Sequence, residues 1–473
     1  MDRIESKAER PDKPVGSGRT ASRFDLVLDT VGRLLRRGAI GNLERMISKM
    51  HPADVAKMLH HLNTAQEKRT VFELIKPDTS KATALSEMDE GDIGDVLQDM
   101  PAADIAMLLK DLPDDDQAYV LTCLPEERSQ EVLKLMKPED SAEVEDLLRY
   151  EPKSAGAMMT TEYFSLTEDT TAEEAIRKLQ GAKDTGNVFY VYVTDSGEKL
   201  VGVLSLRQLL QVPPHTRLGT MIKREVISVA TDTDQEEVAK LVARYNLLAI
   251  PVVDKENRLV GIITVDDVVD IIHDAATEDM MKMSGTQIEE EDVLMHSSVF
   301  QAVRHRVPWL LTNLIGSIVS GSILWFFRFT IEEVVALVTF IPVIAAMGGN
   351  VGLQSSTMVI RGLATGRIEL SDVKRVFARE VLIGFIIGLL CGAVTLSVAA
   401  VMHINLHLGM VVGIAMVCAL VMSTSMATIM PVVLKRYGVD PAVAAGPFVT
   451  TANDITGITI YLSLATTFLS YLK

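Results

Sequence analysis

An ionised carboxylate at membrane depth needs either a counter-charge or a proton, and this sequence places one there. Asp454 lies about 12 residues beyond Ala442, where the last apolar segment is expected to begin. That is roughly 18 Å along a helix rising 1.5 Å per residue, which puts the carboxylate near the midplane of a bilayer. It is the one Asp or Glu expected inside the apolar spans, and no Lys or Arg shares its depth. A permeating cation would supply the missing charge and make Asp454 the ion site of a pore. A permanently protonated Asp bonded to a neighbouring helix and a proton-relay group are the competing readings. Pro447, Thr450, Thr451, Asp454, Ile458 and Tyr461 follow three- and four-residue steps, so a helix collects them on one face beneath the carboxylate.

A second polar patch runs Met347-Gly348-Gly349-Asn350-Val351-Gly352-Leu353-Gln354-Ser355-Ser356. Its three glycines either expose backbone carbonyls to a watery path or let helices pack closely. Ser423, Thr424, Ser425 and Thr428 read as packing residues by the same argument. All candidate ligands are hard oxygens with no Cys or His among them, a set that suits Mg²⁺ or Ca²⁺ over Zn²⁺ or Cu²⁺.

The elements that position these residues are apolar runs. Val307 to Phe327, Val334 to Ile360 and Val381 to Leu434 contain no Asp, Glu, Lys or Arg, and the third run is 54 residues long. About 20 apolar residues cross a bilayer, so the third run holds two helices joined near His403, Asn405 and His407. Together with Ala442 to Leu472, five membrane helices are expected. Arg304, Arg306, Arg361, Arg367, Lys374, Arg375, Arg379, Lys435 and Arg436 fall on one side of these spans. The other side carries Arg328 with Glu332 and Glu333, the His403 turn, and Lys473. The excess of basic residues marks the cytoplasmic side and places the C-terminus outside a multi-pass inner membrane protein.

Charge is segregated along the 473 residues. Positions 1 to 300 carry 56 Asp and Glu against 35 Lys and Arg, net −21, and the remainder carries 7 against 11, net +4. Carboxylate excess argues against a nucleic-acid partner, which requires a basic stripe, and favours cations. Cys123, Cys391 and Cys418 are too scattered for a disulfide framework or a zinc site. Met1 to about Phe24 reads as a disordered cytoplasmic tail with no signal peptide. No Ser/His/Asp or metal-hydrolase constellation points to an enzyme.

The acidic part is modular. Met88-x3-Asp92-Ile93-x3-Leu97 recurs as Met100-x3-Asp104-Ile105-x3-Leu109, with Pro101, Pro113 and Pro125 spaced by 12. This predicts one short helix per unit in a right-handed superhelix, each opening on Pro near its first helical position and an acid in its first turn. From Met158 to Ile272 two copies of strand, helix, strand, strand, helix follow. The first contains Phe189 to Val193, Asp195-Ser196-Gly197 and Leu200-Val201-Gly202-Val203-Leu204. The second contains Ala249 to Val253, Asp254 and Leu259-Val260-Gly261-Ile262-Ile263. This arrangement resembles a tandem CBS pair, a regulatory module that binds adenosine nucleotides or ions and often dimerises. The helix after it stacks Asp267, Asp270, Asp274 and Glu278 on one face, which bridging cations would relieve. A divalent-ion sensor and a solvated face are both open readings of that helix.

An acidic superhelix, a CBS pair, an acidic connecting helix and five spans, in that order, resemble the MgtE family of Mg²⁺ channels. Three motifs carry the resemblance: Gly348-Gly349-Asn350-x-Gly352-x-Gln354, Tyr437-Gly438-Val439-Asp440-Pro441-Ala442, and Pro447-x5-Asn453-Asp454-x-Thr456-Gly457-x3-Tyr461. The fold expected is multidomain, with a tail (1–24), an α-helical superhelix N-domain (25–150), an α/β tandem CBS pair (151–265), a connecting plug helix (266–303) and a five-helix α transmembrane pore domain (304–473). The resemblance implies a homodimer in the bilayer with its pore on the two-fold axis, where paired Asp454 holds hydrated Mg²⁺ beside Thr450 and Asn350. It also implies closure when cytoplasmic Mg²⁺ binds Asp267, Asp270, Glu278, Asp279, Glu236 and Asp440, together with Asp115 and Asp116. Asn246 and Ala275 stand where the family pattern has acids. ATP between the CBS copies belongs to the same pattern. The alternative function is a CBS-regulated transporter that is proton-coupled or carries Mn²⁺ or Co²⁺.

Overall fold

The computed structural model describes residues 23–182, 188–284, 299–401, 406–444 and 446–472. Most of the expected tail, His403 and Asn405 of the expected turn, Lys473, and positions 285–298 of the connecting segment fall outside these residues. The chain divides into two compact units, Met1–Val238 with Leu247–Val265, and Ala239–Asn246 with Asp266–Lys473.

The first unit opens with ten short helices: α1 (Arg23–Arg36), α2 (Ile40–Ile47), α3 (Pro52–His60), α4 (Ala65–Glu73), α5 (Asp78–Ser86), α6 (Glu90–Leu97), α7 (Ala102–Leu109), α8 (Asp114–Thr122), α9 (Glu126–Leu133) and α10 (Pro138–Leu147). Most run eight to ten residues, too short to persist alone, so packing must hold them. Helix α3 packs on α5, α4 on α6, α5 on α7, α7 on α9 and α8 on α10. The repeat supplies the core: Ile93, Leu97, Ile105 and Leu109 are fully buried. Pro101, Pro113 and Pro125 occupy the N-cap rather than the first helical position expected from the spacing. Each helix therefore begins one residue later than expected, and Asp104, the run Asp114–Asp116, and Glu126 with Glu127 fill the first turns.

Two three-stranded sheets follow, β1 (Ser165–Thr167), β2 (Tyr190–Thr194), β3 (Leu200–Ser205) and β4 (Val229–Ala230), β5 (Ala249–Val253), β6 (Leu259–Thr264). In each copy the first pair is parallel and the second antiparallel, as the repeated pattern requires. The hairpin turns match. Asp195 Oδ1 accepts from the amides of Gly197 and Lys199, and Asp254 Oδ1 accepts from those of Glu256 and Arg258. The two copies are joined through these turns, since Leu200 N–H donates to the Asn257 carbonyl at 3.0 Å and Leu259 N–H donates to that of Glu198 at 3.1 Å.

Asp114 ties the superhelix to this pair. It is buried, its Oδ1 accepts from Thr160 Oγ1 at 2.5 Å, and its Oδ2 accepts from the Thr161 amide at 2.9 Å and from Thr161 Oγ1.

Among the described residues the second unit holds a linking helix, Val265–Met283, whose first residue belongs to the first unit, and five long helices. The long helices are Val299–Phe326, Ile341–Ala364, Val373–Val401, Leu406–Arg436 and Pro447–Thr467. Among the described residues, four segments are long and apolar enough to cross a membrane: Ala302–Phe326, Val335–Ala364, Val373–Val401 and Leu406–Arg436. The fifth helix has 21 residues, or about 32 Å, but its threonines, Asn453 and Asp454 dilute its apolar content. The third long helix packs along the fourth, the second and fifth pack on the fourth and on each other, and the first packs on the fifth. A Cβ on Gly388 would lie 2.8 Å from Val417 Cα, so the third and fourth backbones touch.

The fifth helix starts at Pro447, after a separate 3₁₀ turn at Pro441–Ala444, and not at Ala442. Asp454 is therefore its eighth residue, about 10 Å along the helix rather than 18 Å.

Removing the buried Asp114 acceptor should cost about 1–3 kcal/mol locally. Asp114→Ala is expected to speed hydrogen exchange at the Thr161 amide by at least about tenfold. Unchanged protection there would mean that Asp114 does not hold the junction.

Candidate functional site

The fifth helix is built around a buried polar residue that the sequence reading did not place in the site. Asn453 is 2% exposed, and its Nδ2 donates to the Gly348 carbonyl at 3.3 Å. Ser423 Oγ donates to the same carbonyl at 2.7 Å. The second long helix is continuous through its glycines, so the Gly348 carbonyl is consumed in helix contacts and the packing reading of that patch holds. A Cβ at Gly352 would lie 2.0 Å from Asn453 Nδ2 and 2.7 Å from Ser423 Oγ, so only glycine admits the amide. Ser423, Thr424 and Thr428 are buried in the same way and Ser425 is half-buried.

The expected polar face of the fifth helix is divided among its neighbours. Thr451 Oγ1 donates to Asn313 Oδ1 on the first helix at 3.1 Å, and the buried Tyr461 hydroxyl donates to the Leu337 carbonyl at 3.0 Å. Ile458 joins the apolar core. Thr450 is half-buried and donates to the Gly446 carbonyl at 3.2 Å. Thr451 and Tyr461 are thus structural, and the expected line of free oxygens beneath the carboxylate does not form. Asn350 is exposed, whereas Gly349 faces Thr450 across the helix contact.

Asp454 itself is half-buried, and among the described residues its carboxylate has no hydrogen bond and no ion pair. The second carboxylate on a long helix behaves differently. Glu380 Oε2 accepts from Ser355 Oγ at 2.8 Å. The sequence reading overlooked it because it stands one residue before a charge-free run, yet it lies eight residues inside the third helix.

The expected sensor residues are spread over several elements. Asp267 and Asp279 are half-buried on the linking helix and Asp270 is exposed there. Partial desolvation, followed by the neighbouring carboxylates of Asp274 and Asp266, raises the Asp270 pKa above the ordinary range. Glu278 Oε1 and Asp440 Oδ2 both accept from Lys282 Nζ, each at 2.5 Å. Glu236 is exposed in the first turn of its helix, Gln235–Tyr245, and Asp115 and Asp116 are half-buried in the first turn of α8. Asn246 takes φ +51, the left-handed conformation in which Asn is favoured after a helix end. An Asn at this position thus has a backbone reason. Ala275 is half-buried on the linking helix.

One further cluster brings ligand types together, with His60 Nδ1 3.2 Å from Asp89 Oδ2 and 3.1 Å from Asp92 Oδ2. Lys68 already pairs with Asp92, and with Asp95 at 2.7 Å. Burial acts to lower the Lys68 pKa, but hydrogen bonds and charge from both carboxylates prevail and raise it. The cluster is therefore a network of hydrogen bonds and ion pairs, in which Lys68 joins α4 to α6 and His60 joins α3 to them.

Comparison with known proteins places these features together. Residues 341–464 match the MgtE divalent cation transporter family, residues 50–153 match the MgtE intracellular N domain, and residues 155–215 and 218–274 each match a CBS domain. The magnesium transporter MgtE of Thermus thermophilus is 38% identical over 320 residues, covering 67% of this chain and 70% of its own. That of Bacillus subtilis is 34% identical over 323 residues, covering 68% and 71%. A crystal structure of the cytosolic domain of the Mg²⁺ channel MgtE in complex with ATP is 37% identical. It covers 52% of this chain and 99% of its own, with a TM-score of 0.48.

Overpacking at a tight backbone contact costs about 1–3 kcal/mol. Gly352→Ala should lower the thermal midpoint of the purified chain by several degrees. Gly349→Ala should leave it nearly unchanged, because its Cβ would meet Thr450 Cγ2 at an ordinary 3.5 Å. Equal midpoints for the two variants would contradict the packing described.

Proposed function

Since this chain belongs to the MgtE family of divalent cation transporters, we propose that it is a Mg²⁺ channel for magnesium uptake whose permeant ion rests at Asp454. The observation that carries this reading is the contrast between two carboxylates in one helical unit. Glu380 has a hydroxyl partner, and Asp454 has none among the described residues. Asn453 Nδ2 and the Thr451 and Tyr461 hydroxyls are committed to bonds with other helices, whereas Asn453 Oδ1 is buried with no partner among the described residues. An ionised carboxylate left in this position is satisfied by a passing cation. Mg²⁺ sheds its water reluctantly and often uses only one or two carboxylates, so a lone Asp from each subunit of a homodimer suits a hydrated Mg²⁺. Thr450 and Asn350 complete the proposed path, and the exposure of Asn350 in a single chain fits a position facing a partner subunit or the pore.

Closure is proposed to follow from charge. The acidic N-domain and CBS pair repel one another until cytoplasmic Mg²⁺ bridges their carboxylates and the plug helix shuts the mouth. Asp267, Asp270 and Asp279 on the linking helix, Glu236 in the second CBS copy, and Asp115 with Asp116 on α8 form the proposed sensor. Glu278 and Asp440 belong to the expected set but already share the Lys282 ammonium. ATP at the CBS pair, a C-terminus outside the cell membrane, and the five-part division of the chain complete the proposal.

Asp454→Ala should reduce Mg²⁺ uptake into reconstituted vesicles by at least about a hundredfold, since each decade corresponds to 1.4 kcal/mol of lost stabilisation. Wild-type flux, or flux that follows an imposed pH gradient instead of the Mg²⁺ gradient, would favour a proton-coupled transporter. Asp267→Ala combined with Asp270→Ala should raise the cytoplasmic Mg²⁺ needed for closure by about tenfold in patch recordings. Closure at the parent concentration would remove these residues from the sensor.

A further inference from the structure

The linking helix ends against the transmembrane part of its own unit, and the cation in that contact is a side chain. Lys282 Nζ lies 2.5 Å from Glu278 Oε1 on its own helix and 2.5 Å from Asp440 Oδ2, which follows the fourth long helix. The other oxygen of Asp440 accepts from the Ala442 amide at 2.8 Å, so both oxygens of that carboxylate are engaged. The three side chains are 23–37% exposed, partly shielded from the solvent that weakens open surface pairs. A second, apolar contact adjoins them. Met283 packs against the buried Ile360 of the second long helix and the buried Ala442.

From this geometry we propose that Lys282 is the resident cation at this end of the linking helix, and that it anchors the helix to the transmembrane bundle without a metal ion. Three features support the assignment. Glu278 and Lys282 are spaced i, i+4 in the favourable orientation, acid before base. Lys282 lies in the last helical turn, where the helix dipole favours a positive charge. A divalent ion on Glu278 Oε1 and Asp440 Oδ2 would have to sit where the ammonium now stands, so the lysine and a metal exclude one another.

The anchor alters what the proposed sensor has to do. With its far end held by Lys282 and Met283, the linking helix answers cytoplasmic Mg²⁺ through its near end, at Asp267 and Asp270, and pivots about a fixed point. This consequence for gating rests on the channel reading above, whereas the anchor itself does not.

The test therefore reads the contact rather than transport. In full-length protein reconstituted in membranes, with Cys123, Cys391 and Cys418 changed to Ser, Met283→Cys and Ile360→Cys are joined by a short bifunctional thiol reagent. The reaction is run with Mg²⁺ and after chelation. With Lys282 present, cross-linking should be nearly the same in both conditions, and Lys282→Arg should behave likewise. Lys282→Met leaves two facing carboxylates, so cross-linking should fall by at least about tenfold on chelation and return with Mg²⁺, which also shows that the variant is folded. Adding Asp440→Asn to Lys282→Met removes the repulsion and should restore metal-independent cross-linking. The proposal is overturned if the Lys282 parent loses cross-linking on chelation, or if Lys282→Met cross-links equally in both conditions. Parallel Mg²⁺ uptake by the parent separates failure of the anchor from failure of the channel reading.

Discussion

A carboxylate with no partner among the described residues, set in a bundle where Asn453 Nδ2, Ser423, Thr451, Tyr461 and Glu380 are each hydrogen-bonded to another helix, is the constraint on which the functional account depends. Burying an ionised group without compensation costs several kcal/mol. The bundle spends its polar residues elsewhere. Asn453 and Ser423 converge on the Gly348 carbonyl, Thr451 meets Asn313, Tyr461 meets the Leu337 carbonyl, and Glu380 meets Ser355. Each of these bonds joins two helices, and none of them reaches the half-buried Asp454. Small residues make this possible. Gly352 gives the Asn453 amide its room, and Gly388 brings the third helix onto the fourth.

The acidic half works on a different balance. Its short helices have little stability of their own and are held by a repeated Ile/Leu core and by ion pairs such as Lys68 with Asp92 and Asp95. Many carboxylates remain at the surface, where divalent ions can reach them. Within the second unit the linking helix carries both kinds of acid. Partial burial, and then the like charges of Asp274 and Asp266, raise the pKa of Asp270, and Glu278 is neutralised by Lys282. One helix thus has an acidic end and an end where a lysine neutralises its acids.

Much of this could be read from residue order. Charge-free runs located the apolar helices, the 12-residue spacing of Pro101, Pro113 and Pro125 gave the short helices, and the doubled strand pattern gave two sheets of the same topology. What escaped depended on partners distant in the chain or on one-residue offsets. Asp440 lies 158 residues from Lys282, and nothing local in either segment announces the pair. Asp114, Asp115 and Asp116 are equivalent by composition, and only the entry of the chain at Pro113 decides that the first is buried against Thr160 and Thr161. The 3₁₀ turn at Pro441–Ala444 moved the start of the fifth helix and brought Asp454 closer to its end. Periodicity grouped Thr451 and Tyr461 with Asp454, but contacts with other helices claimed both.

The protonation and ligation of Asp454 can be observed directly by infrared difference spectroscopy of the reconstituted protein with and without Mg²⁺, compared with Asp454→Asn. The account predicts an ionised carboxylate whose stretching bands shift when Mg²⁺ is added, and a difference signal that the variant lacks. A protonated acid carbonyl band that is assigned to Asp454 and unmoved by Mg²⁺ would contradict it.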